Sequence, residues 1–241
     1  MARCTLEVFP MTERHELRWG GFAGLAFVVL AMLGRFLPGN PPTVGDSDST
    51  VSSWLTDHRT TILFSSLMWA AAAGLVIWFA AAFAEAIRER AERSDVHLAL
   101  LAGSVLVGGA IFVNAGLTAS TAFGIAGRDA AITMTLYNVS AVMTTMIGFA
   151  AALPLAAAGI GVMRTHLMPN WLGYLALLAA VVSFAGAFGV FATSGRWVAG
   201  GFLMTTVPLL LTAIWIVCAS GFMVREHLPE LSTGEAVVPQ M

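Results

Sequence analysis

The chain has 241 residues, 58% of them hydrophobic and only 11% charged, with a formal net charge of -2. Soluble domains carry roughly 25% charged residues, so there are too few here to coat a water-facing surface, and the bilayer is the natural solvent. The negative balance argues against a nucleic-acid partner. All twelve basic residues are Arg, which removes Schiff-base chemistry on Lys.

Six apolar stretches approach the roughly 20 residues needed to cross ~30 Å of hydrocarbon. They fall at 19–37, 61–84, 98–124, 132–162, 171–192 and 200–223. The expected fold is an all-α polytopic membrane bundle of six transmembrane helices over 19–223. A cytoplasmic N-terminal segment, 1–18, precedes it and a cytoplasmic tail, 224–241, follows. The first span reads as a retained helix, because its apolar run is longer than a signal-peptide core and no small-x-small site follows it. Eight arginines flank one set of span ends (Arg3, Arg14, Arg18, Arg88, Arg90, Arg93, Arg164 and Arg225) and four the other (Arg35, Arg59, Arg128 and Arg196). The positive-inside bias therefore places both termini in the cytoplasm of a bacterial inner membrane. Arg35, near the outer end of the first span, is expected to snorkel outward. Cys4 and Cys218 both fall on the reducing side, so no disulfide is expected.

Between spans 1 and 2 lies DSDSTVSSWLTDHR, residues 46–59. Asp48 or Ser49 can cap a helix start. Val51, Trp54, Leu55 and His58 then recur at helical spacing, which predicts a short external interfacial helix with Trp54 at headgroup level. The segment Glu85–Asp95 reads as a salt-bridged cytoplasmic turn. The fourth span is overlong, and Pro154 within it frees the carbonyl of Ala150. Asn138-Val139-Ser140 matches a glycosylation sequon but lies inside a span, where the match has no meaning.

Polar groups gather in spans 3, 4 and 6. In the fourth, Thr133, Tyr137, Ser140 and Thr144 form one helical stripe, with Asn138 and Thr145 on a second line. In the third, Asn114, Thr118 and Thr121 share a face. On the opposite face Gly116, Ser120 and Gly124 make a small-residue pattern that permits close helix contact, within the bundle or with a homo-oligomer or membrane-complex partner. The sixth adds Thr205, Pro208 and Thr212. Two roles fit these stripes. Hydroxyls can bond to carbonyls one turn back while Asn114 and Asn138 bridge helices. Alternatively, Asn114, Thr118, Thr121, Tyr137, Ser140, Thr144 and Thr205 line a pocket for a neutral or lipophilic small molecule, with Tyr137 and Asn114 making its most specific hydrogen bonds.

Catalytic constellations are scarce. No charged residue or His occupies the middle third of any span, and the common nucleophile, zinc and phosphate-loop motifs do not occur. His15, His97, His166 and His227, with Glu85, Glu89 and Glu226, gather near the cytoplasmic face and are the one route to an enzyme or cofactor protein. No pair has ligand spacing on one helix, so no metal or cofactor is expected. The reading is a non-enzymatic membrane protein that binds or passes a neutral or lipophilic small molecule in a cavity between spans 3, 4 and 6; a structural or accessory subunit of a membrane complex is the alternative.

The Pro-rich turn followed by TVSSWLTDHRT (50–60), and MPNWLGYLALLAA (168–180) opening the fifth span, resemble a broad group of uncharacterised bacterial six-span membrane proteins. The resemblance implies the topology and carries no activity onto any residue.

Overall fold

A computed structural model describes residues 11–90, 94–125, 130–192 and 197–225; within these, the side chains of 11–16, 124, 125 and 130 are not described. Seven α-helices account for nearly all of it: α1 (Met11–Phe36), α2 (Asp48–Asp57), α3 (Arg59–Arg90), α4 (Val96–Ser120), α5 (Ala130–Thr165), α6 (Asn170–Ala187) and α7 (Phe202–Arg225). A π-helical turn, Thr121–Ile125, continues α4, and a 3-10 turn, Phe188–Phe191, continues α6. Six of the α-helices are long and apolar enough to span a membrane, and their spans agree with those read from the sequence to within a few residues. The chain is a multi-pass membrane protein of six spans.

The helices extend past the hydrocarbon where charge allows. The segment from Glu85 is no turn at first: α3 runs on to Arg90, and Arg88 forks onto the Glu85 carboxylate one turn back. At 36 residues α5 is about 54 Å long, well beyond the bilayer core. It continues through Pro154 and stops at Thr165, after which His166 takes a left-handed backbone (φ 47°) and Pro169 begins α6.

The six spans form a closed ring. Each packs against its neighbour in sequence, and α7 returns to α1. One end of the ring is filled. Phe79 and Phe83 stack on each other, and both meet Trp215 edge-on at 5.9 and 5.7 Å. Phe27, Ile87, Leu100, Leu155, Val162, Leu172 and Met223 complete this core. All six spans contribute, mostly from the part nearer the end rich in arginine, with Ala31 and Ala72 reaching past the midpoints of α1 and α3. At the other end the same ring is hollow.

The external helix forms at Asp48–Asp57, capped by Ser47, one residue before the expected cap, whose hydroxyl accepts from the Thr50 N–H. Its apolar stripe turns onto the bundle and not to headgroups. Val51 and Leu55 are fully buried against Ile62 and Ala122, and Trp54 packs edge-on against Tyr137. Helix α2 is thus a roof over the hollow end.

Orientation is checked by labelling. In protein freed of Cys4 and Cys218, an exposed cysteine at Ser53 is expected to react with an impermeant maleimide in intact cells. One at exposed Glu89 should react only after permeabilisation. The reverse order would invert the topology.

Candidate ligand cavity

The hollow end is a cavity of about 290 Å³ to which all six spans, the Pro38–Pro42 loop and α2 contribute. All seven candidate residues, Asn114, Thr118, Thr121, Tyr137, Ser140, Thr144 and Thr205, lie in its wall. The wall extends further than spans 3, 4 and 6. Arg35 and Phe27 come from α1, Ser65, Ser66 and Trp69 from α3, and Trp54 and Leu55 from the roof. The α3 hydroxyls gave no stripe of their own, because Ser65 and Ser66 are adjacent in sequence.

Helices α4 and α5 are joined across the cavity wall by a polar network. Asn114 donates through Nδ2 to Thr144 Oγ1 at 2.9 Å and accepts from Ser140 at 3.3 Å. Ser140 Oγ lies 2.7 Å from Thr118 Oγ1. Thr118 and Thr144 also bond to the carbonyls of Asn114 and Ser140 one turn back, and Thr121 to that of Thr118. Asn114 thus bridges the two helices and also lines the cavity, with a second amide N–H to offer. Asn138 makes no such bridge; its Oδ1 is buried without a hydrogen-bond partner among the described residues. Thr145 reaches the loop before α7, accepting from the Gly200 N–H at 2.9 Å. Thr205 donates to the Gly201 carbonyl.

Tyr137 differs from the expected ligand contact. Its ring faces the cavity, but its hydroxyl donates to the Pro42 carbonyl at 2.5 Å and so ties the external loop down. Tyr137→Phe is expected to cost about 0.5–1.5 kcal/mol through that orphaned carbonyl. Asn114→Leu severs the cross-helix bonds and should cost about 1–3 kcal/mol. Melting in detergent checks both, and an unchanged melting temperature for Tyr137→Phe would show that the loop is held by other means.

Arg35 also departs from expectation. It does not snorkel outward: its Nε donates to Thr206 Oγ1 on α7 at 3.0 Å, and Arg35 is one of the residues that line the cavity. Phe36 and Phe202 flank it, with ring centroids 5.8 and 5.5 Å away. Among the described residues it is the one charged residue lining the cavity.

The small-residue face of α4 is open. A side chain at Gly116 would meet nothing within 4 Å, and Ser120 bonds only to the Gly116 carbonyl behind it. Among the described residues, no helix makes the expected close contact at Gly116. At the opposite end, His97 and His166 each engage local groups, the Ser94 carbonyl and Asn170 Oδ1. No cluster of three metal-ligating side chains exists among the described residues. The side chains of His15 and His227 lie outside them.

Fold and site together define an α-helical multi-pass membrane protein with a roofed, largely apolar cavity at one end of its ring. Compared with family models, curated proteins and solved structures, the chain matches none.

Proposed function

We propose that this protein binds a small lipophilic molecule in the cavity at the roofed end of the ring. The observation that carries the reading is the cavity itself. At about 290 Å³ it lies at the lower end of the range for small-molecule sites, and it sets a few convergent polar groups in an apolar wall. The filled half of the ring favours holding over passing, since the Phe79, Phe83 and Trp215 cluster closes the far side. Access runs past α2 or between spans, not through the bundle.

The test is occlusion. Ala115 is buried in the cavity wall, and Ala115→Phe puts an aromatic ring into the empty volume. Any molecule that co-purifies with the wild type, read by native mass spectrometry, is expected to be lost. The melting temperature should hold, because the ring fills space already open. Retention of the same molecule by the variant would remove the cavity as its site.

A second reading, an accessory subunit of a membrane complex, is favoured by the open face of α4. Gly109 and Gly116, two turns apart, both meet nothing within 4 Å. Such a face suits a partner helix at close range.

A further inference from the structure

We propose that the ligand of this cavity is an amphiphilic anion, a single apolar tail bearing a carboxylate or phosphate head, and that Arg35 is the residue that binds the head. This rests on the reading of the cavity as a ligand site and narrows its ligand class.

Arg35 is permanently protonated and lines a cavity whose other described lining residues are uncharged. Among the described residues the one ion pair is Arg88 with Glu85, at the far end of α3, so no carboxylate of the bundle neutralises Arg35. Its Nε is held by Thr206, which fixes the plane of the guanidinium. The two terminal nitrogens have no hydrogen-bond partner among the described residues and form a fork that matches a carboxylate or phosphate. The α1 C-terminus offsets part of the charge through its dipole, but that is a partial charge and not a counter-ion. Phe36 and Phe202 flank the guanidinium at cation–π distance.

The apolar wall lies in the right direction for a tail. Phe27, two turns toward the core on α1, is about 12 Å deeper than Arg35 and also lines the cavity. Val107, Ile111, Ile147 and Leu209 extend that lining. A site of about 290 Å³ suits one short tail and excludes a two-chain phospholipid. A neutral molecule would leave the Arg35 fork unpaired in an apolar setting, which is the costly arrangement.

The test uses the full chain in phosphatidylcholine nanodiscs at pH 8, with decanoate, decyl phosphate and decanol as probes, and empty nanodiscs to subtract partition. Decanoate or decyl phosphate should bind at least about ten-fold more tightly than decanol, which has the same tail and no charge. Arg35→Gln should abolish that preference. Arg35→Lys should restore part of it, keeping the charge without the fork. Equal affinity for decanol and the anions, or an undiminished preference in Arg35→Gln, would overturn the proposal while leaving the cavity reading intact. If the probes bind the wild type no better than Ala115→Phe, the cavity reading falls and the proposal with it. The same phosphate chemistry is offered by bilayer headgroups. If Arg35→Gln lowers the melting temperature only in phosphatidylglycerol nanodiscs, and decanoate stabilises neither protein, Arg35 serves the membrane surface and the proposal fails.

Discussion

Gly103→Leu should unfold the ring at lower temperature than any other single change at a helix contact named here. A Cβ at Gly103 would lie 2.7 Å from the Cδ of Pro154, 3.1 Å from its nitrogen and 3.2 Å from its Cβ. A flexible neighbour could swing aside, but a pyrrolidine ring is fused to the backbone and cannot. Helix α4 must therefore move off α5, and the hydrogen bonds from Asn114 and Thr118 to α5 loosen with it. Overpacking against a rigid neighbour costs about 3 kcal/mol. Gly109→Leu is the matched control: on the same helix, its side chain would meet nothing within 4 Å. It should be neutral in detergent. Equal melting temperatures for the two variants would mean that α4 and α5 do not approach closely at Pro154.

The second large effect is expected at the roof. Leu55 is fully buried, and with Val51 it anchors α2 on Ile62 and Ala122. Leu55→Ala removes most of that anchor and should cost about 2–4 kcal/mol, as other buried Leu truncations do. The loss is local, because this cluster is separate from the main core. Trp54 should then become more accessible to acrylamide, and any bound molecule should leave faster. Thr56→Ala, at an exposed position on the same helix, should change neither. If Leu55→Ala melts the whole bundle without a separate roof transition, α2 is part of the main cooperative unit.

The architecture was legible because it depends on long-range composition. Six apolar runs and the arginine asymmetry locate the spans whatever their packing, and the structure moved their ends by only a few residues. The stripes in α4 and α5 were legible for a similar reason: period 3.6 puts Asn114, Thr118, Ser140 and Thr144 on facing sides. What could not be read was which neighbour a side chain chooses. The Tyr137 hydroxyl spans 95 residues to reach Pro42, and Arg35 spans 171 to reach Thr206. Neither partner is marked by spacing. The stripe of Val51 and Leu55 was visible, but its amphipathicity fits a lipid surface and a protein surface equally well. The small face at Gly116 shows the converse. Permission for close approach is encoded locally, while the helix that would use it must come from elsewhere.

The contact between Arg35 and Thr206 also has an order in time. Its two halves are 171 residues apart, so at ordinary elongation rates the hydroxyl emerges roughly 10–30 s after the guanidinium. Through that interval α1 stands in the bilayer without α7, and Arg35 has neither Thr206 nor Phe202 beside it and no completed wall to lie in. Its charge must spend that time among headgroups and water. The inward position is therefore a late event, available only once the last span closes the ring, and the cavity acquires its cation when its wall is completed.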